Sequence, residues 1–270
     1  MTRPADDDIT LGRGLQPGDP HYRAFVGPPG EYDVGAAMQF NLLTALGLRE
    51  DHSLLDIGCG SLRAGRLFIV YLRPGRYFGL EPAQWLIGEG IKHELGQDIL
   101  AVKEPTFSHD RDFTLSTFGR TFDFLLAQSV FSHAPPHQIR RCFAEARAVM
   151  APTAVFIATF FRGRESYTGQ EWVYPGIVRY TVADMAALAR EQGLACQSLD
   201  WTHPTGQTWI AITHLAYRYH VRPVTNRCRM AVVGRWLRHP RAATVGLARR
   251  VYWWLRAYRR PPAPRSRCAP

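Results

Sequence analysis

Residues 54–63, LLDIGCGSLR, constrain this chain more tightly than any other ten. Residues 53–57 form a short, nearly unbroken apolar run, the pattern of a strand covered on both faces. Gly58 and Gly60 follow, and 62–72 then reads as a helix. Glycines in a strand-to-helix turn let the backbone approach a ligand without a Cβ in the way. In an open parallel sheet such a turn sits beyond the carboxyl ends of the strands, where ligands bind.

The rest of the chain repeats the alternation. Residues 34–48 read as a helix with Met38, Leu42 and Leu46 on one face. Strands are expected at 77–80, 122–127 and 154–161, with a third strand in order within 99–113. Helices are expected at 84–95, 136–150 and 182–192. Two last strands, 195–201 and 208–216, are joined through HPTGQ, a turn short enough for a hairpin. This predicts an α/β fold: a doubly wound, mostly parallel seven-stranded sheet whose C-terminal hairpin makes its last strand antiparallel. The expected divisions are an irregular lead-in at 1–32, a Rossmann-like domain at 33–217 and an arginine-rich tail at 218–270.

The ligand is narrowed by two acids. FGLEP ends the second strand with Glu81, 25 positions after Asp56, near the spacing for a carboxylate that accepts both hydroxyls of a ribose. Asp56 then separates two cofactors. A dinucleotide rests its pyrophosphate on bare backbone N–H groups, and a carboxylate beside them repels it. S-adenosylmethionine carries a sulfonium and an ammonium, which the same carboxylate favours. The third glycine of a dinucleotide turn is also missing, since the sequence reads Gly58-x-Gly60-x-x-Arg63.

On these residues the chain resembles the class I S-adenosylmethionine-dependent methyltransferases over roughly residues 34–217. Asp56, Gly58 and Gly60 resemble the acidic-x-Gly-x-Gly motif of that family, Glu81 its ribose-binding acid, and FDFLLAQSVFSH at 122–133 its fourth-strand motif. Residues 141–161 resemble the helix, turn and fifth strand that follow. Two departures stand out: Leu62 replaces the third motif glycine, and Pro152-Thr153-Ala154 replaces the usual Pro-Gly-Gly turn. The resemblance implies S-adenosyl-L-methionine as cofactor and maps the adenine-contacting acid onto Asp112, with Asp110 as the second choice.

Methyl transfer needs the acceptor held in line with the sulfonium methyl and away from water. Gln128 and Ser129, just past strand four, are expected at the cofactor, and His133 is expected to act as general base toward an alcohol. A structural reading stays open for His133, as a residue that caps or packs against the helix after Pro135. His203 is either a turn residue or part of a loop closing on the acceptor. Met38 and Gln39 either line the methionine end or pack in the core. The position after strand four reads Gln128-Ser129-Val130-Phe131, unlike the Asn/Asp-Pro-Pro-aromatic motif of amino-group methylation on nucleic acids, and no cysteine follows to attack a pyrimidine. Nucleic acid is therefore not an expected partner. The expected acceptor is a small molecule, a sugar or a lipid-linked glycan, methylated at oxygen, with nitrogen as the second choice. A cofactor-binding regulator without catalysis is the alternative, and an NAD-dependent oxidoreductase is disfavoured by Asp56.

Charge separates the tail from the rest. The chain holds 33 Lys+Arg against 23 Asp+Glu. No acid follows Asp200, and all 14 basic residues beyond it are arginines, from Arg218 to Arg267. Residues 242–260 read as an amphipathic helix with Trp254 and Tyr258 beside arginines, suited to an anionic membrane surface. A helix docked on its own domain or on a dimer mate fits equally. The five cysteines are scattered with no C-x-x-C pair, which argues against a disulfide framework or a zinc site. No apolar run reaches a membrane-spanning length. The expected setting is cytoplasmic, with peripheral contact at the inner membrane face if the tail is interfacial.

Overall fold

A computed structural model describes residues 11–217, 221 and 223–225. The chain divides into two compact units, Met1–Asn226 and Arg227–Pro270. The second unit, and with it the helix expected at 242–260, lies outside the described residues.

The first helix, α1 (Tyr32–Leu46), is stopped by Gly47 in the left-handed conformation. Then come β1 (Leu54–Ile57), α2 (Gly65–Tyr71), β2 (Tyr77–Leu80), α3 (Gln84–Gly90), α4 (Gln97–Lys103) and β3 (Thr106–Ser108). The second half holds β4 (Phe122–Ala127), α5 (Pro136–Val149), β5 (Met150–Arg162), β6 (Arg179–Tyr180), α6 (Val182–Glu191), β7 (Leu194–Ser198) and β8 (Thr208–His214). The strands run in the order β3-β2-β1-β4-β5-β8-β7, and the two-residue β6 lies against the far end of β5. Strand β8 is antiparallel to both β5 and β7. The expected parallel sheet with an antiparallel hairpin strand is present, and β6 makes an eighth strand that no sequence pattern announced.

Both faces of the sheet are covered. Leu55, Ile57, Leu125 and Phe156 pack under Ile139 and Phe143 of α5 and Met185 and Leu188 of α6. Leu54, Phe124, Leu126 and Ile157 pack under Leu42 and Leu43 of α1 and Phe68 of α2. Neighbouring residues of one strand thus serve opposite cores, which is why β1 and β4 are apolar nearly throughout.

Three expected elements differ in detail. The helix after the glycine turn begins at Gly65 rather than 62, because Leu62 takes φ +59°, the left-handed conformation that a third glycine would have supplied. The helix expected at 84–95 ends as a five-residue π turn, Ile91–Leu95. Strand β3 has only three residues, since helix α4 occupies 97–103. Among the described residues no helix is long and apolar enough to cross a membrane.

The lead-in is irregular in backbone but firmly attached. The π turn presents Glu94, whose oxygens lie 2.5 Å from Arg23 Nη2 and 2.6 Å from Arg66 Nη1, with its side chain 5% exposed. Tyr22 donates to the same carboxylate at 3.0 Å, and Arg23 lies over the Tyr32 ring at 4.6 Å. Removing one partner of a buried ion cluster costs about 3–5 kcal/mol; here Asp33, an exposed partner of both Arg23 and Arg66, remains and holds the loss to the lower end of that range. Glu94→Ala should therefore lower unfolding stability by about 3 kcal/mol in urea titration. A loss below about 1 kcal/mol would show that the cluster does not hold the lead-in in place.

Candidate active site

Strand order reverses between β1 and β4, so their carboxyl ends part and leave a crevice. A cavity of about 820 Å³ opens there, near the upper end of the roughly 300–1,000 Å³ usual for ligand pockets. Its floor is the turn after β1. Gly58 (φ +69°) and Gly60 (φ +55°) both need the left-handed region, and a Cβ on either would lie 2.7 Å from Val130 or Val26 respectively. No other residue fits both constraints.

Glu81 stands beside this turn. Its Oε2 accepts the Gly60 N–H at 3.0 Å and its Oε1 the Ala83 N–H at 2.9 Å. Each oxygen keeps lone-pair capacity for one further donor, the requirement for two vicinal hydroxyls. Burial pushes the Glu81 carboxyl above its ordinary value, against the pull of these two N–H donors. Asp56 is more deeply enclosed, 4% exposed, and accepts the Tyr77 hydroxyl at 2.8 Å. Burial pushes it up to about 7, with the Tyr77 bond and the Arg63 charge opposing. Arg63 donates to the Val26 carbonyl at 2.9 Å and makes a short hydrogen bond to Gln128 Oε1. This end of the cavity therefore presents a cation, a carboxyl that titrates near neutrality and a second carboxyl group held by two backbone N–H donors.

From Gln128 a polar chain crosses to the β7–β8 loop. Arg63 fixes the amide orientation of Gln128, so its Nε2 donates to Ser129 Oγ at 2.8 Å and lies 3.1 Å from His203 Nε2. His203 Nδ1 accepts the Thr205 N–H at 3.2 Å and lies 3.0 Å from Thr205 Oγ1. Burial, helped by the Arg63 charge, lowers the His203 pKa to about 4.

His133 differs. Its Nδ1 lies 2.9 Å from the Val173 carbonyl and 2.8 Å from that of Gly176. Carbonyls only accept, so Nδ1 carries the proton and the lone pair stays on Nε2. Burial lowers the pKa of His133, with the two carbonyls opposing, so the ring is neutral at neutral pH. Rather than capping α5, the side chain ties down the 173–176 segment.

The sequence-predicted residues Asp56, Gly58, Gly60, Glu81, Gln128, Ser129 and His133 all line this one cavity, as do Gln39 and His203. Met38 packs in the core instead. Asp112 is corrected by the structure: it is exposed and outside the lining, while Asp110 lines the cavity and accepts the N–H groups of Asp112 and Thr114. Two walls escaped the sequence reading. One is the lead-in, through Phe25, Val26 and Pro28; the other is the 172–177 segment, through Trp172, Tyr174 and Ile177. Arg63 was also missed, although a cation inside the turn that replaces a glycine motif was a usable signal.

Asp56 makes the apo protein sensitive to pH. Its folded pKa is raised, so the unfolded chain releases this proton first, and its contribution to stability is lost as pH rises from about 4 through about 7. Tyr77→Phe removes a donor to the ionised form, worth about 1.5–3 kcal/mol. The variant should be less stable than the wild type by about that amount at pH 8 and by clearly less at pH 5, compared by urea titration. Equal deficits at both pH values would contradict this account of Asp56.

No known protein-family profile matches the chain. Solved structures do resemble it. Magnesium protoporphyrin IX methyltransferase from Synechocystis PCC 6803, with bound S-adenosylmethionine, is 16% identical, with 79% of this chain and 100% of that one covered and a TM-score of 0.54. DesVI of Streptomyces venezuelae is 16% identical over 79% of this chain and 99% of its own, with a TM-score of 0.53. The glycopeptide N-methyltransferase MtfA, complexed with S-adenosylmethionine, is 11% identical over 67% and 94%, with a TM-score of 0.51. At these identities the likeness is one of architecture: the chain has the fold of the class I S-adenosylmethionine-dependent methyltransferases.

Proposed function

We propose that this protein is an S-adenosylmethionine-dependent methyltransferase that methylates a small molecule at oxygen. The observation that carries the reading is the grouping of Glu81, Asp56 and Arg63 around the glycine turn in one cavity. Each matches one part of the cofactor. Glu81 has an acceptor position on each oxygen for the ribose hydroxyls, Asp56 suits the ammonium, and Arg63 suits the carboxylate of the methionyl end. A pyrophosphate would instead meet two carboxyl groups, which counts against a dinucleotide. Bound there, S-adenosylmethionine would supply a methyl group on a positively charged sulfur.

The remaining work falls to the chain. The lead-in and the 172–177 segment wall the cavity. His133 holds a neutral imidazole with Nε2 unprotonated, able to take the proton of an acceptor hydroxyl as its oxygen bonds to the methyl carbon. His203 has both nitrogens engaged and positions Gln128.

Two measurements test the assignment. Glu81→Ala should weaken S-adenosylmethionine binding by about 1–3 kcal/mol in calorimetry, because a charged acceptor is lost. Unchanged affinity in a folded variant would remove Glu81 from the cofactor site. His133→Ala should lower turnover by about 10²–10⁴-fold while cofactor affinity stays near wild type. Since burial lowers the His133 pKa, wild-type turnover should be level through neutral pH and decline only below the ordinary histidine range. A drop smaller than tenfold, with the pH profile unaltered, would leave His133 a purely structural role.

A further inference from the structure

The acceptor side of the cavity has a chemistry of its own. Five rings run in a continuous string: Trp85 to Phe25 at 5.2 Å, Phe25 to Tyr174 at 5.0 Å, Tyr174 to His133 at 5.1 Å, and His133 to Trp172 at 5.8 Å. The string joins the two irregular walls, and the Tyr174 hydroxyl seals the joint by donating to the Phe25 carbonyl. Burial raises Tyr174 to about 12, so it remains a neutral donor. Where the string lines the cavity it is open at Trp172, 44% exposed, with Ile177 of the same segment 43% exposed; Trp85, at the other end and 43% exposed, lies outside the lining. Large apolar groups left in water at a cavity mouth mark a surface that a ligand covers.

The polar side chains on this side are largely engaged with one another. Gln128 holds Arg63, Ser129 and His203; Gln207 donates to Ser129 at 2.5 Å and to Thr205 at 3.4 Å. Gln207 Oε1 and Gln138 Oε1, both of lining residues, lack a partner but are sealed from solvent. A polyhydroxylated acceptor would need several such groups free, because each buried hydroxyl left unpaired weakens binding. Within this network the Ser129 hydroxyl already accepts two amide donors, so its own proton is left to give. Along the ring string, His133 Nε2 is left to accept.

We propose that this subsite takes an uncharged aromatic acceptor bearing a hydroxyl, a phenol, stacked among Phe25, Tyr174 and Trp172 with its hydroxyl presented to His133. The inference rests on the methyltransferase reading and names its acceptor class in place of a sugar or lipid-linked glycan. Offset and edge-to-face ring contacts at about 4.5–7 Å suit an added ring in this string. The proton chemistry agrees. A phenol loses its proton near pH 10, about 3.5 above the ordinary histidine value, whereas an aliphatic hydroxyl is a much weaker acid. His133, lowered further by burial, is a base weak enough for that difference to decide. In the transfer the phenol oxygen bonds to the methyl carbon, the carbon–sulfur bond breaks with its electron pair on sulfur, and the phenolic proton passes to His133 Nε2 and then to water.

The test uses the full chain with naphthol as the phenol probe and methyl glucoside as the sugar probe. Naphthol binding is read by calorimetry in the presence of S-adenosylhomocysteine. Transfer is read with methyl-labelled S-adenosylmethionine offered both probes together. Naphthol should bind and accept label, and methyl glucoside should do neither. Trp172→Ala, at a position 44% exposed, should weaken naphthol binding about tenfold or more and leave S-adenosylmethionine affinity unchanged. Phe25→Leu serves as the second variant and should act in the same direction. Absence of naphthol binding, equal binding by wild type and Trp172→Ala, or label on the glucoside alone would overturn the aromatic acceptor. Binding of S-adenosylmethionine, measured separately, distinguishes that outcome from failure of the methyltransferase reading, which would show as no cofactor binding at all.

Discussion

The Arg63 guanidinium touches parts of the chain that no secondary structure joins. It holds the lead-in through the Val26 carbonyl and the end of β4 through Gln128, and through Gln128 it reaches His203 in the β7–β8 loop. A guanidinium can do this because its donors are spread in a rigid planar fork. Burial pulls its pKa down, yet arginine remains charged in any protein setting. The charge is compensated locally: Asp56 lies within its field, and its own ionisation near neutrality is favoured by Arg63. One cation thus joins the cavity walls and, with the Tyr77 hydroxyl, opposes the upward push of burial on the acid beneath them.

What the sequence disclosed follows from periodicity. Strands β1, β2 and β4 are short and buried on both faces, and each ends in a residue whose chemistry is visible in one dimension: Asp56, Glu81 and Gln128 with Ser129. The sheet positions those residues, so naming the strands was enough to group them. The walls had no such signal. Phe25 and Val26 belong to a Gly/Pro-rich lead-in and Trp172 to Ile177 to a long connection, and neither carries a repeat that predicts which side chains turn inward. Their fixation comes from tertiary contacts, Glu94 with Arg23 and His133 with the carbonyls of 173 and 176. Asp112 was misplaced for a related reason. The loop after β3 folds back through the Asp110 side chain, which accepts two backbone N–H groups, and so brings Asp110 rather than Asp112 to the cavity.

Backbone strain is concentrated around the same crevice. Among the described residues four non-glycines have positive φ, and three of them, Leu62, Phe113 and Ser129, lie in the loops after β1, β3 and β4. Each costs on the order of 1–3 kcal/mol unless the surroundings compensate. Leu62 and Phe113 are compensated by burial, at 0% and 8% exposure. A leucine in place of the third motif glycine therefore exchanges conformational ease for core contacts in the layer of α1 and α2. Ser129 is compensated differently, by the Thr159 hydroxyl accepting its N–H at 2.8 Å and by two amide donors on its side chain. That conformation keeps its hydroxyl on the cavity wall.

Two histidines line the cavity, and their partners divide the roles between them. His203 is enclosed by side chains that engage both nitrogens, and with its pKa near 4 it gains nothing by taking a proton at neutral pH. It acts as a fixed dipole in the chain that begins at Arg63. His133 is held by backbone carbonyls on one nitrogen only. Carbonyls cannot donate, so they settle the tautomer and leave the opposite nitrogen as an acceptor among aromatic rings. An imidazole held this way is oriented before any acceptor arrives, and its hydrogen bonds strengthen as positive charge develops on the ring. The same two bonds that anchor the 172–177 wall therefore prepare the base, so the wall and the proton acceptor form as one structure.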